Sequence, residues 1–151
     1  MKALSLLQPY ASLIAVGAKK IETRSWSTKY RGPLAIHASK KWTLEQSSKL
    51  CFSNFQTGLS PLVGIPLNLS SEITWGGVQE KHIILGCVIA TCELVDCIPT
   101  DILTQKQIGT DRPFGDFNLG RYAWILENVK PLEAPIPAKG ALSLWEWEDT
   151  V

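Results

Sequence analysis

The sequence predicts an α+β fold, a small mixed β-barrel with flanking helices. Three observations lead there. About six short apolar or alternating segments read as strands, and two or three others read as helices. The two kinds do not alternate as regular strand–helix–strand units. The 151 residues are 45% apolar and 19% charged, which is enough apolar matter for a core and too little charge for a disordered chain. The length suits one domain, residues 1–151, carrying a long loop insertion at about 56–82.

The elements follow in order. Residues 3–7 read as a first strand. Gln8 to Val16 reads as a short helix, with Pro9 in its first turn and Gly17 in the left-handed position after its end. Lys19 to Trp26 reads as a strand with Glu22, Arg24 and Trp26 on one face, and Ile21 and Thr23 on the other. Glu22 and Arg24, two apart on that face, are placed to pair with each other. Leu34 to Ser39 alternates cleanly, with Leu34, Ile36 and Ala38 on one side and Ala35, His37 and Ser39 on the other. Thr43 and Gln46 form a capping-box pattern that opens a helix fading near Phe55. Residues 56–82 hold four glycines and two prolines with little periodicity, hence the loop. His82 to Val95 reads as a buried central strand, and Pro99 to Ile108 as a helical turn or more. Gly109 to Gly120 reads as a polar loop and Arg121 to Val129 as a strand. Pro131, Pro135 and Pro137 then mark an irregular stretch, and Leu142 to Trp147 closes the sheet.

Several function classes drop out. No apolar run approaches the roughly 18 residues of a membrane helix. The first residues lack a secretory pattern, so a soluble, cytoplasmic protein is expected. Cys51, Cys87, Cys92 and Cys97 form no C-x-x-C pair, and only two histidines are present, so neither a metal nor a cofactor is expected. Reduced thiols are the default reading. No G-x-S-x-G and no phosphate-binding loop occurs.

Charge is informative through its distribution. The whole chain carries +1, yet residues 1–50 hold nine basic and two acidic residues, a local +7. Aromatic residues are interleaved: Tyr10, Trp26, Tyr30 and Trp42. Lysine and arginine pair with phosphate, and tyrosine or tryptophan faces stack on bases. That combination suits single-stranded RNA or a splayed nucleotide. Each residue also has a bland reading. Trp26 and Trp42 can be packing, His37 a satisfied core histidine, and Lys40-Lys41 a solvated pair.

Three stretches carry a resemblance. QPYA, GAKKIETRSW and YRGPLAIHASKKW, together with the distal FGDFNLGRYAWILENVKPLEAPIPAKG, resemble the ASCH family, named for activating signal cointegrator homology. The match runs over nearly the whole chain and is weakest at 53–82. It implies a PUA-like fold, a partly closed β-barrel with flanking helices, and a cleft accepting RNA or a modified base or nucleoside. Carried over position by position, Gln8, Tyr10, Lys19, Glu22 and Arg24 match the motif lining that cleft. Tyr30, Arg31, His37 and Ser39 fall in the matching second strand and its approach, and Arg121 and Tyr122 in a late strand. Some members are enzymes. The resemblance to an amidohydrolase of acetylated cytidine, with a lysine–threonine–glutamate site, would place its lysine on Lys19 and its threonine on Glu22, which is not a hydroxyl nucleophile. Its glutamate has only Asp111 or Asp116 as candidates.

The leading expectation is an RNA-binding or modified-nucleotide-binding module, with an anion near Lys19, Arg24 and Arg31 and a base against Tyr10, Trp26 or Tyr122. The alternative is a hydrolase, amidohydrolase-like on a modified nucleoside or ribonuclease-like on RNA, with Lys19 and Glu22 as the catalytic pair. A third reading is a protein-interaction module using the 56–82 loop.

Overall fold

The computed structural model describes residues 1–63 and 77–149. Six strands form one mixed sheet: β1 (Lys2–Leu6), β2 (Ile21–Arg24), β3 (Gly32–Ala38), β4 (Cys87–Pro99), β5 (Tyr122–Pro137) and β6 (Leu144–Glu146). Their spatial order is β2-β5-β4-β3-β1-β6. Only β1 and β3 run parallel, and every other neighbouring pair is antiparallel. The sheet forms a half-barrel with helices against it, the PUA-like α+β fold. The flanking helices are α1 (Tyr10–Ala15), α2 (Leu44–Lys49), α3 (Ser53–Leu59) and α4 (Gln105–Ile108).

The period of two decides which face each side chain takes. On β1, Leu4 and Leu6 enter the main core while Ala3 enters a small cluster on the other face. On β3, Leu34, Ile36 and Ala38 join the main core, and Ala35 the opposite one. Helix α1 covers the main core with Ala11 and Ile14. Its next residue over, Leu13, faces a second cluster with Phe55, Leu59 and Phe114. Gly17 closes α1 at φ +83°, as its position after the helix requires.

Several elements depart from the sequence expectation. The helix expected to fade near Phe55 is two helices, α2 and α3, broken at residues 50–52. The capping box of Thr43 and Gln46 starts α2. Residues 56–62, expected as loop, complete α3 and a 3₁₀ turn; the centre of the expected loop, 64–76, lies outside the described residues. The prolines after Val129 do not end β5. The strand runs through them, with Pro131 opposite Ala90 and Pro137 opposite Cys87. Among the described residues, β5 has no backbone partner on its other side beyond Leu126, whose N donates to Lys20 O, so an amide farther along that side needs no acceptor. Three register shifts between β4 and β5 bend the pair, which is how a six-stranded sheet curls. The central strand also starts and ends later than expected, at Cys87 and Pro99.

The first and last described strands are joined at one edge. Met1 N donates to Trp147 O at 2.7 Å, and Trp147 N donates to Met1 O at 2.8 Å. No helix among the described residues is long and apolar enough to cross a membrane.

Candidate nucleic-acid cleft

A cleft of about 1160 Å³ opens on the surface between β1, β2, β3, the 113–116 loop and the 139–143 segment. The end of β2 and the residues just after it supply Glu22, Thr23, Arg24, Ser25 and Trp26. The 109–120 segment, expected as a loop but opening with a 3₁₀ helix at Gly109–Phe114, is clamped onto that strand. Buried Asp111 accepts from Lys20 N and Ile21 N through Oδ1, at 2.8 and 3.1 Å. Asp116 N donates to Thr23 Oγ1 at 3.0 Å, and Arg121 Nη2 donates to Thr23 O at 3.4 Å.

Four cations line the cleft: Arg24, Lys40, Arg121 and Lys139. Two carboxylates, Glu22 and Asp116, oppose them, leaving the cleft net positive although the chain as a whole is nearly neutral. Arg24 is aimed by two contacts. Its Nη2 donates to Ser5 O at 2.8 Å, and its Nε lies 3.1 Å from Glu22 Oε1. That second contact is an ion pair without hydrogen-bond alignment, so Nε is buried and has no hydrogen-bond partner. The pairing of Glu22 with Arg24 expected from their spacing is therefore present as an ion pair. Asp116 Oδ2 sits 3.5 Å from Arg121 Nε. Tyr10 and Trp26 contribute aromatic surface; Trp26 is held edge-on against buried Trp124, with centroids 4.7 Å apart.

Of the residues singled out in the sequence, Tyr10, Glu22, Arg24, Trp26, His37, Ser39 and Arg121 line this cleft. Gln8, Lys19, Tyr30, Arg31 and Tyr122 do not. Gln8 is buried and ties α1 down: its Oε1 accepts from Ser12 N and its Nε2 donates to Ile84 O. Lys19 is 1% exposed. Its Nζ donates to Ile21 O at 2.5 Å and Phe114 O at 2.6 Å, and lies 3.5 Å from Glu22 Oε2. An ammonium whose three protons face three acceptors is a structural cation with no free lone pair. Tyr30 donates to Pro33 O and packs against the main core, and burial raises its pKa. Arg31 pairs with Asp96 at 3.1 Å, away from the cleft. Tyr122 packs on the main core beside Arg24 in register. Of the two acids considered for a catalytic carboxylate, Asp116 lines the cleft and Asp111 does not.

His37 is a satisfied core histidine at the cleft floor. Its Nε2 is 3.0 Å from Ala138 O and its Nδ1 3.0 Å from Ser5 Oγ. A carbonyl only accepts, so Nε2 carries the proton and Nδ1 accepts from Ser5, whose oxygen in turn accepts from Trp145 Nε1 at 3.1 Å. Burial, against the pull of the Ala138 carbonyl and helped by Lys40, holds its pKa below the ordinary 6.5. The unfolded chain therefore binds a proton more readily here. Stability is full above about pH 6.5 and is lost as pH falls toward the lowered folded value. Urea midpoints measured from about pH 7 to about pH 5 should fall more steeply for the wild type than for His37→Gln. Parallel curves would remove this role.

The sequence reading missed the far wall, residues 139–143. Gly140 packs directly on His37: a Cβ there would lie 2.5 Å from His37 Cε1 and 2.6 Å from Ser5 Oγ. Only a glycine brings the backbone that close. Gly140→Ala should cost about 1–3 kcal/mol by overpacking. Lys139→Ala, exposed beside it, should stay within about 0.5 kcal/mol of wild type. Equal thermal midpoints for the two variants would contradict the packing argument.

Comparison with known proteins now fixes the family. The ASCH domain profile matches residues 4–136. The chain belongs to the ASCH family. It is 30% identical over 149 residues to Activating signal cointegrator 1 of Mus musculus and, equally, to that of Homo sapiens, covering 98% of this chain. It spans 22% of the length of those relatives. Among solved structures, a tyrosine-to-phenylalanine mutant of the ASCH protein from Zymomonas mobilis superposes with a TM-score of 0.50 at 14% identity, covering 99% of this chain and 90% of that one. That likeness concerns the ASCH fold alone. Among the described residues, no group of three His, Cys, Asp or Glu side chains is gathered as metal ligands would be.

Proposed function

We propose that this ASCH domain is an RNA-binding module whose ligand sits in the cleft, with phosphate among Arg24, Lys40, Arg121 and Lys139 and a base against Tyr10 or Trp26. The observation that carries the reading is the concentration of four cations beside Tyr10 and Trp26 in one cleft of an otherwise nearly neutral chain. Membership of the ASCH family supports a nucleic-acid role. Arg31 and Lys19, expected near the anion, are replaced in this proposal by Lys40, Arg121 and Lys139. A hydrolase using Lys19 as its base would first have to break two hydrogen bonds to carbonyls and an ion pair, which favours binding over that chemistry.

The test is fluorescence anisotropy with a labelled short single-stranded RNA across a salt series. Each phosphate neutralised on a single strand contributes about −0.7 to the slope of log affinity against log salt. Four engaged cations give a slope of about −2.8, and Arg121→Ala with Lys139→Ala flattens it by about 1.4. Affinity that ignores salt, or the absence of binding, overturns the proposal.

A further inference from the structure

A second hollow of about 410 Å³ adjoins the cleft. Leu7 and Tyr10 line both, so the two are neighbours across these side chains. Lys40 faces the first and the adjacent Lys41 the second. Lys41 and Lys49 outnumber the single acid there, Glu45. The Lys49 ammonium stands 5.9 Å from the Tyr10 ring centroid. The wall beneath is fixed: buried Gln46 donates to Gln8 O at 3.1 Å and to Lys41 O at 2.8 Å. Leu44, 85% exposed, leaves apolar surface open at the rim. The first cleft alone, at about 1160 Å³, already exceeds the roughly 300–1,000 Å³ that holds one small ligand.

We propose that a single-stranded polynucleotide, not a free nucleoside, is the ligand, and that it crosses Tyr10 from the cleft into the second hollow, where Lys41 and Lys49 take its phosphates. This rests on the cleft accepting a nucleotide. An aromatic ring between two cation-flanked hollows is the arrangement by which a strand is tracked without base pairing: stacking on the ring and backbone charge on either side. A duplex cannot present an unstacked base to that ring.

The experiment uses the full chain and labelled oligouridylates of about two, four and eight nucleotides, with uridine monophosphate as competitor. The wild type should tighten with length until the second hollow is filled. Lys41→Ala with Lys49→Ala should remove that gain and flatten the salt slope by about 1.4, so raising salt from about 50 to about 200 mM weakens the wild type about sevenfold more than the variant. Both proteins should bind uridine monophosphate alike. If the monophosphate binds and the longer strands gain nothing, or the double variant keeps the gain, this inference fails and the cleft reading stands. If neither monophosphate nor strand binds, both fail. A duplex of equal length, or a polyglutamate peptide, binding as tightly as the single strand also overturns the inference.

Discussion

Lys19→Ala destabilises the fold by about 3–5 kcal/mol, the cost of removing one partner from a buried charged network. The side chain is 1% exposed and holds two backbone carbonyls and one carboxylate oxygen. Its loss leaves Ile21 O and Phe114 O without that donor, and leaves Glu22 to Arg24 alone. Natural domains carry only about 5–15 kcal/mol in total, so the loss is a large share. Lys19→Met keeps the volume of the stem and still fails, because the acceptors remain unmet. Urea denaturation followed by circular dichroism measures this. An unchanged midpoint accompanied by lost RNA binding would mean that Lys19 turns toward the ligand, against the geometry seen here.

Arg24→Ala has the opposite profile. Arg24 is partly exposed, at 25% of its side chain, and lines the cleft. Glu22 keeps Lys19 when Arg24 is removed, so the cost to the fold is modest. The cost to binding is large: a charge-assisted hydrogen bond contributes about 1.5–3 kcal/mol, which is about 10–100-fold in affinity. Arg24→Lys should recover the salt dependence yet stay weaker than wild type, because an ammonium lacks the planar fork. Binding by Arg24→Ala within twofold of wild type, about the scatter of one titration, would remove the arginine from the site.

The contrast between these two residues shows what the sequence could and could not convey. Both belong to one short motif, and both are cations on a β-rich segment. Which one lines the cleft depends on two backbone carbonyls, one of them supplied from Phe114, distant in the chain. Side-chain pattern carries no information about carbonyl direction. Gln8 was misplaced for the same reason, since Ile84 O absorbs its amide. Local patterns were legible where one physical cause acts. The alternation of β1 and β3, the glycine ending α1 and the capping box of α2 all appear where expected. β5 was underestimated because its prolines were weighed as breakers without knowing that their outer side is unpaired. Of the four cleft cations, Arg24 and Arg121 were identified beforehand, Lys40 was read as solvated, and nothing near Lys139 marked it. They converge only because β2, the end of β3, the start of β5 and the chain after β5 meet at one end of the sheet.

The reciprocal hydrogen bonds between Met1 and Trp147 bear on how the outer edge of the sheet is held. They carry the β1–β6 ladder one step past Lys2 and Glu146, so the three-residue edge strand is fastened at its end as a clasp is, by two bonds that open only together.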